Sequence, residues 1–120
     1  MNYCYTSMRP LPQLLVSSRE QNNSIRNYCH KIGLSFTISV PELVYPFAFV
    51  QLFSIAQRAC YGDTITFFSL SQFFDYRNSF DDLSQLLISS FQEVHFANEF
   101  LSCSSQQNLM NYLKSSSYLQ

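Results

Sequence analysis

Apolar and polar residues between Ser17 and Val40 follow first the period of a helix and then the period of a strand. Ser17 and Glu20 have the spacing of a capping box, which marks the start of a helix. Gly33 can adopt the left-handed conformation in which many helices end. Residues 34–40 alternate apolar and polar side chains, which predicts a strand with one buried face. The apolar stripe of the predicted helix consists of Ile25, Tyr28, Cys29 and Ile32.

The segments on either side of this unit extend the alternation of strands and helices. Residues 11–16 are mainly apolar and lead directly into the helix cap, so we expect a short strand there. A second helix is predicted from Pro46 to about Cys60, since proline suits the first turn of a helix. Residues 65–70, ITFFSL, form a β-rich apolar run that is typical of a buried strand. A last short helix is predicted over residues 106–114.

Two interpretations compete for the chain after Ser79. Ser79 and Asp82 have the spacing that begins a helix, and apolar residues at helical spacing continue to Leu101. One interpretation is a single long helix, which we favour because its apolar stripe holds for about five turns. In the other interpretation the helix ends near Ser90, and residues 93–97 form a fourth strand.

The chain has 120 residues, which suffices for one domain with one hydrophobic core. Its order of strands and helices predicts an α/β fold, in which helices flank a small and mainly parallel sheet. An α+β arrangement is the alternative. We expect residues 1–10 and 115–120 to be loosely ordered ends.

Residues 14–39, LLVSSREQNNSIRNYCHKIGLSFTIS, resemble the opening of a response-regulator receiver domain in their rhythm of strand, turn, long helix, glycine and second strand. Residues 59–70, ACYGDTITFFSL, resemble the third strand of that family with its lead-in. The resemblance covers about residues 14–70. It implies a flavodoxin-like doubly wound sheet and a regulatory role.

The residues that carry receiver chemistry are not matched. The magnesium-binding acidic pair of that family falls on Ser17 and Ser18, and its phosphoacceptor aspartate falls on residues 69–71, which are Ser-Leu-Ser. Asp75 lies several residues too late, and Lys114 lies in a predicted helix rather than at the end of a strand. Hydroxyls do not replace carboxylates around a hard dication. The resemblance therefore implies a degenerate receiver that takes no phosphoryl group.

The chain is poor in charge. Only 12% of its residues are charged, the net charge is −1, and there is no basic run, so we expect no nucleic-acid partner. The apolar run between Glu42 and Arg58 is about 14 residues, shorter than the roughly 20 that a membrane helix needs. We expect no membrane span, although a small membrane-associated protein stays open as an alternative. Weak charge also favours self-association.

Four cysteines, Cys4, Cys29, Cys60 and Cys103, have none of the spacings that are typical of zinc sites. No secretory signal segment is recognisable at the start of the chain. We therefore expect free thiols in a cytoplasmic protein, and two disulfides are the alternative if the chain is secreted. We predict neither a metal nor a cofactor.

Neither histidine predicts a catalytic site. His30 follows Cys29 in a helix, where adjacent side chains point about 100° apart and do not meet. His95 has Glu99 four residues later, which suits a surface pair on a helix. A small enzyme built from scattered Ser, Cys and His side chains is the alternative function.

Large apolar side chains on the second side of the favoured long helix predict a contact surface. Phe96 and Phe100 point away from its main apolar stripe, and Ile88 lies near them. Packing under the last helix is the alternative for the two phenylalanines. We predict a non-enzymatic regulatory or protein-interaction module, a possible homodimer, whose interaction residues are Phe96, Phe100 and Ile88.

Overall fold

The computed structural model describes residues 1–12, 14, 16–37, 39–45 and 47–118. Strands and helices alternate along the chain, which gives a mixed α/β domain. A single 3₁₀ turn, Leu70–Phe73, follows the third strand. In chain order the elements are β1 (Asn2–Ser7), α1 (Ser18–Ile32), β2 (Val40–Glu42), α2 (Val50–Arg58), β3 (Thr64–Phe67), α3 (Phe80–Ser90), β4 (Glu93–Phe96), β5 (Leu101–Cys103) and α4 (Gln106–Tyr118).

The five strands form one sheet in the order β2-β1-β3-β4-β5. β1 pairs in parallel with both β2 and β3, and β4 pairs in parallel with β3. Only β5 is antiparallel, and a tight turn joins it to β4. The sheet is therefore mostly parallel, as expected, and the carboxyl ends of its first four strands lie at the same edge.

The two faces of the sheet differ in polarity because side chains alternate along each strand. Ile65 and Phe67 of β3 face the larger core, which α2, α3 and α4 cover. Thr66 faces the other side, where α1 packs over a smaller core around Cys4 and Ile25. One face is thus apolar under three helices, whereas the other is partly polar under a single helix.

The predicted start and end of α1 are confirmed. The Ser17 hydroxyl accepts the Glu20 backbone N–H at 3.2 Å, and the Glu20 carboxylate accepts the Ser17 N–H at 3.3 Å. Gly33 ends the helix at φ 79°, where a residue with Cβ is strained. Ile25, Tyr28 and Cys29 are buried, whereas Ile32 is more than one third exposed.

The first strand does not lie where we predicted it. Residues 2–7 belong to the segment that we expected to be loosely ordered, yet they form β1 between two parallel neighbours. Leu11 and Leu14 form only an isolated antiparallel bridge, and Leu15 lies outside the described residues. The polar Asn2 gave no local sign of a buried strand, because the hydroxyls that donate to its Oδ1 belong to the distant residues Thr64 and Thr66.

The second strand and second helix are shorter than predicted. The strand expected over residues 34–40 is present only from its last residue, since β2 is Val40–Glu42. Ile38 and Pro46 lie outside the described residues. Helix α2 begins at Val50, where no side chain of its N-cap residue caps it.

The favoured long helix after Ser79 is wrong, and the alternative is confirmed. Helix α3 ends at Ser90, and Glu93–Phe96 forms β4. Val94 and Phe96 pair in parallel register with β3 and face the larger core. The apolar pattern of these residues is compatible with a buried strand as well as with a helical stripe. Pairing with β3 is what makes them a strand.

The last predicted helix is present and extends further than expected. Helix α4 continues to Tyr118, through residues that we expected to be a loosely ordered end. Residues 119 and 120 lie outside the described residues. Leu109 and Leu113 bury this helix against the larger core.

Candidate functional site

Polar side chains gather where β3 and β4 end. The Ser69 hydroxyl donates to Glu99 Oε2 at 2.6 Å, and the Leu70 backbone N–H donates to Glu99 Oε1 at 3.1 Å. The Ser71 hydroxyl donates to Ser69 Oγ at 3.0 Å. Ser69 is fully buried, so a substrate cannot reach its hydroxyl in this structure. The group therefore ties two loops of the edge together.

A second polar group connects the end of β1 to α1 and to the 3₁₀ turn. The Gln21 side chain accepts the Ser7 backbone N–H at 2.9 Å and donates to the Ser7 carbonyl at 2.7 Å. The Gln72 amide donates to Ser7 Oγ at 2.9 Å. These buried amides and hydroxyls form hydrogen bonds with one another and with the backbone, and these bonds offset the free energy of removing them from water.

A buried ion pair stands beside these groups. Arg9 Nη2 lies 2.8 Å from Asp75 Oδ1, and the two side chains are 4% and 6% exposed. The guanidinium also donates to the carbonyls of Ala48 and Gln72. Its carbon lies 5.1 Å from the ring centre of Phe49. Arg9 thus joins the end of β1 to the segment before α2 and to the turn after β3.

Asp75 also forms a hydrogen bond with the backbone of the exposed segment before α2. Its Oδ2 accepts the Phe47 N–H at 2.9 Å. Phe47 has φ 62°, a conformation that is strained for a bulky residue and that persists only where the surroundings impose it. The Arg77 guanidinium covers one side of the Phe47 ring, 3.4 Å from its centre. The segment is therefore held in shape rather than loosely attached.

The same segment carries a concentration of exposed apolar side chains, which we name the aromatic surface. Its members are between 37% and 69% exposed. No residue between 43 and 53 is charged. The aromatic surface consists of Leu43, Val44, Tyr45, Phe47, Val50 and Phe53.

A buried carboxylate fixes this surface to the sheet. Glu42 is fully buried at the end of β2, and its oxygens accept the backbone N–H groups of Gln51 and Leu52 at 3.1 and 3.2 Å. It therefore caps α2 from outside the helix, where a negative charge suits the helix dipole. Glu42 also accepts the Tyr5 hydroxyl at 2.7 Å, and burial together with this carboxylate raises the pKa of Tyr5 well above its usual range.

The three predicted interaction residues do not form one surface. Phe96 is completely buried in the larger core and stacks on Phe67 at 5.3 Å, so its assignment as a contact residue is wrong. Ile88 is partly buried against the same core. Phe100 is 57% exposed in the turn between β4 and β5, and its ring meets Tyr28 of α1 edge-on.

His95 is not on a helix surface and does not pair with Glu99. It is buried in β4, and its Nδ1 lies 2.8 Å from the Tyr28 hydroxyl. Burial lowers the pKa of His95, while Glu93, whose carboxylate lies 3.8 Å from Nε2, opposes this shift. Burial also raises the pKa of Tyr28 to about 12.

Two buried thiols share one amide under α1. Asn2 Nδ2 lies 3.8 Å from Cys4 Sγ and 3.4 Å from Cys29 Sγ. The hydrogen bond between the thiols lowers the pKa of Cys4 to about 7 and raises that of Cys29. Both side chains are inaccessible, so we assign them no part in surface chemistry.

In the parts of the chain that the structure describes, no three His, Cys, Asp or Glu side chains come together in a way that could hold a metal ion. Nor is any helix in those parts of the chain both long enough and apolar enough to cross a membrane.

Comparisons of the chain with protein-family models, with curated proteins and with solved structures find no match.

No sequence pattern indicates the residues that shape this edge. Arg9 and Asp75 are 66 positions apart, and nothing local to either residue indicates that they pair. The one usable signal was the density of uncharged apolar residues from 43 to 53, which the sequence analysis assigned mainly to a second helix and also considered as a membrane span.

Proposed function

We propose that this chain is a non-enzymatic interaction module that forms a homodimer through the aromatic surface. The observation that carries the proposal is the exposure of six large apolar side chains on a segment that buried polar contacts hold in place. The aromatic surface of one copy contacts the same surface of a second copy, and a twofold axis relates the two copies.

The area of the aromatic surface fits this assignment. Multiplying the exposed fraction of each side chain by the area of that side chain gives an exposed apolar area on the order of 450 Å². Specific interfaces are about 57% apolar, so the full contact would cover about 800 Å² on each copy. That is the size of a standard specific interface.

The charge distribution favours a second copy over a charged partner. Residues 43–53 carry no charge, so contacts between these segments of two copies oppose no like charges, and the neighbouring Arg77 guanidinium lies over the Phe47 ring. The strained Phe47 supports the same assignment, because strain is retained where a fixed local shape has a role.

The proposal includes a flavodoxin-like fold related to receiver domains and a cytoplasmic location. The strand order β2-β1-β3-β4-β5 supports the fold, although the antiparallel β5 departs from it. The four unpaired cysteines support the location. Because β1 is Asn2–Ser7, the residues that follow it, where receivers carry acidic residues, are Met8 and Arg9 rather than Ser17 and Ser18, and we expect no magnesium-dependent binding of a phosphoryl analogue.

The test compares two exposed tyrosines at opposite edges of the sheet. Tyr45 is 69% exposed within the aromatic surface, whereas Tyr61 is fully exposed just before β3. Light scattering after size exclusion, over a range of concentrations, should show a dimer for the unmodified chain and for Tyr61→Ser. Tyr45→Ser should weaken dimerisation on the order of tenfold or more, since anchor residues dominate interfaces.

Circular dichroism should show that both variants remain folded, because neither tyrosine is buried. A strict monomer at every concentration would overturn the proposal. Equal loss of the dimer in the Tyr45→Ser and Tyr61→Ser variants would overturn the assignment to the aromatic surface. A dimer that only Phe100→Ser disrupts would move the interface to the turn between β4 and β5.

A further inference from the structure

Two thiols lie side by side between β1 and α1. Cys4 is on the face of the sheet that α1 covers, and Cys29 is on the side of α1 that packs on the sheet. Both belong to the smaller core, and both are at most 1% exposed. One amide nitrogen, Nδ2 of Asn2, lies 3.8 Å from Cys4 Sγ and 3.4 Å from Cys29 Sγ, so the two sulfurs are neighbours.

The surroundings of Cys4 favour its thiolate form. The hydrogen bond from the Cys29 thiol lowers the pKa of Cys4 to about 7, although burial opposes this shift. The Thr37 hydroxyl, 3.9 Å from Cys4 Sγ, acts in the same direction as Cys29. Because a thiolate is the form of cysteine that attacks a disulfide, Cys4 is suited to the attack and Cys29 to the second step.

The other two cysteines are placed differently. Cys103 is buried in the larger core, so the sheet separates it from Cys4 and Cys29. Cys60 is exposed in the segment between α2 and β3. A disulfide between β1 and α1 therefore has one defined pair of partners.

We propose that Cys4 and Cys29 form a disulfide that links α1 to the sheet when the protein meets a small-molecule disulfide such as glutathione disulfide. The Cys4 thiolate attacks one glutathione sulfur, which releases one glutathione thiolate and leaves Cys4 in a mixed disulfide. Cys29 then loses its proton and attacks Cys4 Sγ, which releases the second glutathione. Two protein thiols are oxidised, and one glutathione disulfide is reduced to two glutathione molecules.

Opening of α1 gives the oxidant access to the buried thiols. A single helix covers this face of the sheet, and the core beneath it is the smaller of the two and is partly polar. Lifting α1 therefore exposes less apolar surface than unfolding the whole domain. Once formed, the disulfide prevents this opening and holds α1 on the sheet.

The first experiment maps the linkage. The full chain is incubated in glutathione buffers of increasing oxidised fraction, the remaining thiols are alkylated, and the peptides are identified by mass spectrometry. Cys60→Ser is treated in the same way, because the exposed Cys60 thiol can link two copies. We expect Cys4 linked to Cys29 and a free Cys103 in both proteins. The proposal would be overturned if Cys4 and Cys29 stayed reduced in every buffer, or if either were linked to Cys60 or Cys103.

Urea unfolding tests whether the fold accommodates the link. Cys4 and Cys29 are 25 positions apart, so closing this loop should raise the urea midpoint by about 1–2 M. Cys60→Ser should keep this rise, and Cys29→Ser should lose it. A midpoint that does not rise on oxidation would overturn the proposal, since the link would then strain the fold. The linkage map needs no change at Cys4 or Cys29, so it is decisive even if Cys29→Ser does not fold.

A pair of matched variants tests the opening of α1. Ser17→Ala removes the hydroxyl that caps α1, so it should raise the rate of oxidation severalfold. Ser79→Ala removes the same kind of cap from α3, on the other face of the sheet, and should leave the rate unchanged. Equal acceleration by both variants would overturn the opening of α1 as the route. Oxidation should leave the dimer unchanged, because α2 and the aromatic surface belong to the other face, so this proposal and the proposed dimer can fail separately.

Discussion

Replacement of Asp75 by alanine is expected to destabilise the fold by about 3–5 kcal/mol. Asp75 and Arg9 are both more than nine-tenths buried, and the carboxylate lies 2.8 Å from the guanidinium. The variant would leave the Arg9 charge buried without its partner. It would also release the Phe47 N–H, which Asp75 accepts at 2.9 Å. Removing one member of a buried pair costs far more than breaking a surface pair.

Urea unfolding followed by circular dichroism measures this effect. Domains of this size lose about 2 kcal/mol of stability per molar urea, so the midpoint should fall by about 1.5–2.5 M. The double variant Arg9→Met/Asp75→Ala should cost less than the sum of its single variants, by about 1–3 kcal/mol. The methionine fills much of the arginine stem volume and removes the unpaired charge.

Arg58→Met serves as the control, since Arg58 is exposed and its guanidinium donates to the Ser54 carbonyl four residues earlier in the same helix. Its stability should change by no more than about 0.5 kcal/mol. A cost below about 1 kcal/mol for Asp75→Ala would mean that the pair behaves like a solvated surface bridge. That result would refute the account of Arg9 and Asp75 as a buried ion pair at the carboxyl edge.

Two further predictions separate buried from exposed groups. Phe96→Ala should lower the free energy of unfolding by about 3–5 kcal/mol, because Phe96 is buried in the core. Phe100→Ala should lower it by less than about 1 kcal/mol, because Phe100 is exposed. Equal losses for the two variants in urea unfolding would contradict this prediction. His95 has a lowered pKa in the folded state, so the unfolded state takes up its proton first, and stability should fall as the pH decreases below about 6.5. His95→Gln should flatten the pH dependence of unfolding just below about pH 6.5, and an unchanged slope would show that another group titrates there.

Local signals predicted local structure well. The capping box at Ser17 and Glu20 involves residues three positions apart, and the Gly33 stop depends on the backbone freedom of one residue. The start of α3 at Ser79, whose hydroxyl accepts the Asp82 N–H, follows the same logic. These interactions form between chain neighbours, so the sequence contains both partners within one turn.

The strands were harder to predict because their partners are distant. Residues 93–96 satisfied a helical stripe and an alternating strand equally, and the parallel register with β3 made them β4. Residues 2–7 contain polar side chains that no local pattern explains. Asn2 is buried there only because Thr64 and Thr66 donate to its side chain across the sheet.

The candidate site depended almost entirely on tertiary structure. The sequence contained the uncharged apolar run from 43 to 53, but that pattern is equally typical of a core helix. The shape of the segment comes from Asp75, which pairs with Arg9 and accepts the Phe47 N–H. Phe96 shows the reverse case, since an apolar residue that looked unpartnered on a helix became part of the core once β4 had formed.

By itself, the sequence determined the alternating α/β organisation, helix α1 with both of its ends, and the location of β3. Each of these rests on interactions between residues close in the chain or on a simple apolar run. Tertiary structure alone decided the central position of β1, the strand β4 and the aromatic surface. Their physical cause is pairing and burial between distant residues, such as Arg9 and Asp75, which are 66 positions apart, and no short pattern records such pairing.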